Sequence, residues 1–345
     1  MNVSFVNYPK QHQKYQKEIE AAILRVCNSR ARILQQEVKN FEQNLADFVG
    51  TKYAVGLNSG TDALFMTLKL LGVGSGDEVI TVGHTFHATV EAIVWNGAKP
   101  VLVDVGEDGM MDVISVKKAI TSKTKAIIPV HLMGDMVNVG ALSVLGLPII
   151  EDACQALGAS YGGVKAGAWG IAGAFSFFPA KILGAYGDAG AITTDDEALY
   201  KELKDMREHY KYNPGKYGFN SRLDELQAAI LNVKIKHLPE MIQRRQEIAD
   251  MYDDGLKGVV LPTKRLGRVY QDYIIRTDRR DELAEFLKNK GIETLKNDYH
   301  FPDDLPKPEH TVKLESQTLR LPCNDVLSDE EVKYVIEKSN EFFTK

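Results

Sequence analysis

The chain has 345 residues, 44% of them apolar and 26% charged, with a formal net charge of -5. That is the composition of a globular protein of about two domains, and it supports neither a nucleic-acid-binding surface nor adhesion to an anionic membrane. Cys27, Cys154 and Cys323 have no metal-ligand spacing, no apolar leader opens the chain, and no window approaches the length of an uncharged membrane span; the expectation is a cytoplasmic protein with free thiols, no signal peptide and no transmembrane segment.

In chain order, residues 13–27 and 38–48 carry apolar side chains at helical spacing. AVGLNSG at 54–60 reads as a strand running into a turn, and TDALFMTLKLLG as the helix that follows, stopped at Gly72. Gly60 permits a close backbone approach, and Thr61 and Asp62 open that helix. Its free amides favour an anion, while capping by Thr61 or Asp62 is the plainer reading. Buried strands are predicted at 77–83, 99–105, 125–133 and 148–152, with HATVEAIVWNGA as one crossover helix. This alternation predicts an α/β fold with a mostly parallel central sheet between helices, and ligands at the carboxyl ends of its strands.

A charged helix is predicted from Asp195 to Tyr212, then a polar glycine-containing stretch. A long helix over 223–253 is interrupted at Pro239. The rhythm changes near 250–262, which divides the chain into a large unit, 1–250, and a smaller C-terminal α+β unit, 251–345. In the latter, YQDYIIRT and TLRLP read as strands and DELAEFLKNKG as a helix. The stretch 297–315 reads as a long irregular loop, and Ser328 and Glu331 stand at the capping-box offset before a last helix.

The organising stretch runs from Ile149 to Thr193. Asp152 ends an apolar run, and Lys181 follows 29 residues later among aromatic and glycine residues. Desolvation lowers a lysine pKa and frees the amine for condensation with a carbonyl, although most lysines are simply solvated. Asp152 is a candidate partner for a protonated ring nitrogen, with helix capping as the alternative. The two together are what a pyridoxal phosphate enzyme requires. Gln155 is placed to face the same cavity, Phe86 to stack on a planar ring or to serve as core, and Ser176 to offer a phosphate hydroxyl. His131 and His209 are imidazole candidates without a metal cluster, and no GxGxxG run supports a nicotinamide site.

Five motifs in order, NSGTDAL (58–64), HTFHATVEAI (84–93), EDACQALGA (151–159), SFFPAKILGAYGDAGAITT (176–194) and GFNSRLDELQAAIL (218–231), resemble the DegT/DnrJ/EryC1/StrS family of nucleotide-sugar aminotransferases. The resemblance implies a fold type I transferase dependent on pyridoxal 5′-phosphate. By this likeness Lys181 holds the cofactor covalently and moves the proton, Asp152 pairs with its ring nitrogen, Gln155 approaches the ring hydroxyl and Phe86 covers a ring face. Gly60, Thr61 and Ser176 hold the phosphate. Asn220 of a neighbouring subunit completes that site, which makes the enzyme a homodimer with shared active sites.

The resemblance further implies L-glutamate as amino donor and a nucleotide-linked keto sugar as acceptor, in amino-sugar and surface-polysaccharide biosynthesis. LGAYGDAGA at 183–191 is similar to relatives that aminate C3. Amination at C4, a dehydratase outcome and a non-catalytic regulatory role are the alternatives. Two positions depart from the family pattern: Ile182 beside the lysine, and NDYHFPDDLPKPEHT (297–311), where His300 is the nearest match to a sugar-side loop.

Overall fold

A computed structural model describes residues 1–213 and 215–344. The chain opens with α1 (Tyr8–Cys27) and α2 (Gln36–Val49), then alternates through β1 (Tyr53–Leu57), α3 (Gly60–Leu70), β2 (Glu78–Val82), α4 (His87–Trp95), β3 (Lys99–Val103), α5 (Val113–Ala119), β4 (Thr124–Ile127), α6 (Val139–Ser143) and β5 (Ile150–Asp152). A small hairpin, β6 (Ser160–Tyr161) and β7 (Val164–Lys165), precedes β8 (Ala172–Ser176), β9 (Gly190–Thr194), α7 (Glu197–Met206), α8 (Glu225–Lys234) and α9 (Leu238–Gly255). The remainder is β10 (Tyr273–Arg276), α10 (Arg280–Asn289), β11 (Leu295–Lys296), α11 (Glu309–Gln317), β12 (Thr318–Leu321) and α12 (Asp329–Thr344).

Two ladders, β3-β2-β4 and β5-β8-β9-β1, are joined by the parallel bridges Ile127–Ile149 and Val130–Asp152 into one central sheet. The expected parallel character holds except at β9, which runs antiparallel to both β8 and β1. Side chains alternate across the sheet. Val55, Leu57, Ala174 and Ile192 pack on one face beneath α3 and α7, while Ala54, Phe175 and Ala191 face α1, α2 and α8 on the other. Phe41 of α2 meets Phe177 edge-on at 5.1 Å; both are fully buried, and each contributes roughly 2–3 kcal/mol through the area removed from water.

Several boundaries differ from the sequence reading, for physical reasons. The first helix begins at Tyr8 rather than 13, because the Asn7 side chain accepts from Lys10 N and Pro9 suits a first turn. The strand expected over 54–60 ends at Leu57, and Ser59 caps α3, its Oγ accepting from Asp62 N at 3.1 Å; neither Thr61 nor Asp62 is the cap. The run 125–133 leaves the ladder after Ile127. The helical run expected over 223–253, with its interruption at Pro239, is two helices, and Pro239 sits in the first turn of the second. Residues 309–315, expected as loop, belong to α11, which starts directly after Pro308. The capping box is present: Glu331 N donates to Ser328 Oγ and Ser328 N to Glu331 Oε2.

A second core lies around the antiparallel sheet β10-β12-β11, packed by α9, α10 and α12. Val3 joins it through a bridge to Ile292. The chain's first residues are thereby carried to this second core. No described helix is long and apolar enough to cross a membrane.

Candidate active site

At the carboxyl ends of the central strands lies a cavity of about 520 Å³. Its floor comes from the start of α3, the β2–α4 turn and the ends of β5 and β8, and its opposite wall from Phe5, Gln271, Asp272, Tyr299 and Arg320. Gly60, Thr61, Phe86, Asp152, Gln155, Ser176 and Lys181 all line it, as does His131. Asn220 and His209 do not; Asn220 is exposed, bridged to Glu208.

Asp152 arrives at the last position of β5. Its two carboxylate oxygens are held separately: Thr89 Oγ1 donates to Oδ2 at 2.7 Å and Cys154 N to Oδ1 at 3.2 Å. Thr85 backs Thr89 at 2.7 Å, and both threonines are buried. The carboxylate is thereby oriented with lone pairs to spare. The neighbouring Glu151 points the opposite way, into a closed structural site. It accepts from Gly167, Trp169 and Gly170 amides and contacts His131 Nε2 at 2.9 Å. Val137 N donates to His131 Nδ1, which leaves the ring proton on Nε2 for Glu151. Burial opposes ionisation of Glu151, and His131 with the amides outweighs it, holding that carboxyl below the usual range.

Lys181 sits in the turn between β8 and β9. Burial around its amine pushes its pKa below the ordinary lysine value, against the raising influence of Cys154, Asp152 and Asp272. Of the aromatics expected to dry this site, Phe175 and Phe177 are turned into the core, while Phe178 lines the cavity. Burial, then Asp152, drives the Cys154 thiol well above its normal pKa, so it stands beside the lysine as an unionised group.

Gln271 spans the turn between β8 and β9. Its Oε1 accepts from Ile182 N and its Nε2 donates to Ala180 O, each at 3.0 Å, so one side chain brackets Lys181 on both sides. Arg245, itself buried, grips the carbonyls of Tyr270, Gln271 and Cys323 and fixes the segment that presents Gln271. Ile182 thus contributes its amide to this brace and its side chain to the core. Gln271→Ala is expected to lower kcat roughly 10–10²-fold through misplacement of the amine, with KM values little changed; steady-state kinetics on folded protein checks this split.

Sequence reasoning missed Thr89, Gln271, Tyr299 and Arg320. Thr89 lies within a motif already quoted; the other three come from sequence-distant segments, and no local pattern marks them. Tyr299, not His300, is the residue of the divergent loop that lines the cavity; His300 is exposed. Lys307 pins that loop by reaching the Tyr299 carbonyl and, at 2.6 Å, Glu315 Oε2.

These groups suit pyridoxal phosphate. A Cβ at Gly60 would lie 2.6 Å from Cys154 Sγ and 3.0 Å from Ser176 Cβ, so only glycine lets the chain run this close. Gly60 and Thr61 are the first residues of α3, where amides have no i−4 partner and attract an anion. An oriented carboxylate and a desolvated amine complete the donor set.

The DegT/DnrJ/EryC1/StrS aminotransferase family model matches residues 13–340. A pleiotropic regulatory protein of Geobacillus stearothermophilus is 40% identical over 99% of both chains. The dTDP-3-amino-3,4,6-trideoxy-alpha-D-glucose transaminase of Streptomyces venezuelae is 42% identical over 87% of this chain and 82% of its own. The crystal structure of S. venezuelae DesV superposes with a TM-score of 0.95 at 38% identity, covering 100% of this chain and 99% of that one. Solved relatives include pyridoxal and pyridoxamine phosphate forms. With this fold, this cavity and this match along the chain, the protein belongs to the DegT/DnrJ/EryC1/StrS family of pyridoxal phosphate-dependent aminotransferases.

Proposed function

We propose that the protein moves the amino group of L-glutamate onto the keto group of a nucleotide-linked hexose, at C3, within amino-sugar synthesis for a surface polysaccharide. The observation that carries this reading is the meeting of Lys181 and Asp152 in one cavity, the amine desolvated and the carboxylate oriented by Thr89. Pyridoxal phosphate, when bound, supplies a carbonyl that links to amines and a ring that draws electrons from the attached carbon.

The chain's own groups do the rest. Lys181 Nζ holds the cofactor at rest; in each half-reaction it is freed to take a proton from one carbon and return it to another. Asp152 keeps the proton on the ring nitrogen. Gln155 Oε1 accepts from Met133 N, which leaves its amide end for the ring hydroxyl. Phe86, 54% exposed, is free to cover a ring face. Gly60, Thr61 and Ser176 bind the phosphate. Asn220, exposed and outside its own cavity, serves the site of a second copy in a homodimer.

C3 is preferred on the run LGAYGDAGA and on the S. venezuelae transaminase, whose product carries its amine at C3. The Geobacillus relative's name raises a regulatory role; a desolvated lysine facing an oriented carboxylate favours chemistry over that. Purified protein with L-glutamate and fresh 3-keto or 4-keto nucleotide sugars tests the proposal. The amine is expected at C3, and a product aminated only at C4 sinks the choice of carbon.

A further inference from the structure

The same cavity must admit two unlike substrates in turn. An α-amino-acid donor carries a carboxylate on the very carbon that loses its proton, whereas a keto sugar carries none there. A carboxylate brought into a closed site without a partner costs several kcal/mol, so a fixed cation has to stand near the reacting carbon. Among the described residues lining the cavity the Lys and Arg side chains are Lys181 and Arg320, against Asp152, Asp188 and Asp272. Lys181 is committed to holding the cofactor, so Arg320 is the cation that this chain's own lining offers.

Arg320 projects from the middle strand of the small sheet and is nearly buried, its side chain 15% exposed. Nη2 pairs with Asp272 Oδ2 at 2.5 Å, Nη1 stands 3.5 Å from Asn297 Oδ1, and the buried Nε has no hydrogen-bond partner. Phe5 lies across the guanidinium, 5.4 Å from Cζ. Asn297 is itself fixed, its Nδ2 3.0 Å from His84 Nε2, so that its carbonyl oxygen is the end turned to Arg320. The charges of both Arg320 and Asp272 are felt at Lys181. The fork is therefore held in place and only partly used.

We propose that Arg320 receives the α-carboxylate of the amino donor, and that Asp272 is the built-in counter-ion that neutralises Arg320 when the uncharged part of the sugar occupies the cavity instead. This assignment rests on the aminotransferase reading above. It explains why an arginine facing the cavity is already paired: without Asp272 the sugar would face an uncompensated buried cation, and without Arg320 the donor would bring in an unpaired anion. The recognised chemistry is a carboxylate, so a uronic-acid carboxylate on the sugar is the competing source.

The test uses the holoenzyme and glutarate, a dicarboxylate that cannot react, titrated calorimetrically alongside the separate half-reactions. Arg320→Gln combined with Asp272→Asn removes both charges and keeps a polar, hydrogen-bonding side chain at each position. It is expected to weaken glutarate binding and raise the L-glutamate KM roughly 10²-fold, with the keto-sugar KM within about two-fold of wild type. Arg320→Lys keeps the charge without the fork and is expected to lose about ten-fold. Asp272→Asn alone should bind glutarate more tightly and turn over the sugar more slowly, the reverse of what a merely structural pair would do. Unchanged glutarate binding in the double variant, equal damage to both half-reactions, or an effect confined to sugars bearing a carboxylate overturns the proposal. If wild-type enzyme is not converted by L-glutamate at all, the proposed function fails on its own account, and the glutarate titration still decides Arg320.

Discussion

Lys181→Ala protein is expected to fold normally and yet lose transamination by roughly 10⁴-fold, together with the cofactor link that borohydride fixes to the chain. The amine has no described hydrogen bond or ion pair to lose, and burial already disfavours its charge, so removing it costs the fold little. Its neighbours Ala180 and Ile182 stay tied to Gln271 through their backbones, so the turn keeps its shape. What disappears is the one group placed both to hold the cofactor and to carry a proton between carbons. Wild-type protein should show an absorbance near about 410–430 nm that L-glutamate bleaches toward about 330 nm; the variant should show neither the protein-linked band nor the bleaching. A link to protein that survives borohydride reduction and digestion in the variant would move the reacting amine elsewhere and dismantle the site as assigned.

Much of the fold and half of the site could be read from the chain because their signals are local. Alternating buried strands such as Glu78–Val82 and Lys99–Val103 are rich in β-branched residues and bounded by turn residues. Asp152 and Lys181 are conspicuous because each breaks an apolar or glycine-rich context, and the strand–turn–helix at Gly60 marks by its spacing a helix start with free amides, where capping is the plainer reading. The strands β8 and β9 were not legible: AGAFS is built mostly of small residues, and the branched Ile192, Thr193 and Thr194 of GAITT follow Gly190 and Ala191, which are too small to mark the start of a strand. Their smallness has a tertiary cause. A Cβ at Gly190 would overlap the backbone of Ser59, so the start of β9 must be bare for the cap of α3 to lie against it.

The cavity's far wall was illegible for a different reason. Gln271, Asp272 and Arg320 sit in or beside two short strands, and their roles come from meeting a turn some 90 to 140 residues earlier in the chain. Tyr270, just ahead of Gln271, takes a positive φ of 52° and packs against Gly134, where a side chain would collide with the backbone of Tyr270. That contact delays the start of the predicted strand YQDYIIRT by three residues, to Tyr273, and turns Gln271 toward the turn that carries Lys181. No periodicity encodes such a bend.

Asp152→Asn carries the second large effect, expected at roughly 10²–10³-fold in the single-turnover rate with L-glutamate. The substitution preserves size and the contact from Thr89 and gives up only the long contact from Cys154 N, so most of the loss reflects the negative charge. With an amide opposite it, the cofactor's ring nitrogen has no anion to hold its proton at neutral pH, and electrons are withdrawn from the reacting carbon less strongly. Lowering the pH supplies that proton from solvent, so the variant's rate should climb as pH falls within the range where wild type is flat or declining. Thr89→Val, which leaves the charge and removes one hydrogen bond to it, should cost only about ten-fold and show no such recovery in acid. The order of the two effects and the acid recovery of only the first follow from one geometry, a carboxylate aimed by Thr89 on one oxygen and by the Cys154 amide on the other. An Asp152→Asn enzyme that keeps more than a tenth of the wild-type rate at every pH would mean that the ring nitrogen is served by another group, and that Asp152 does no more than tie β5 to α4.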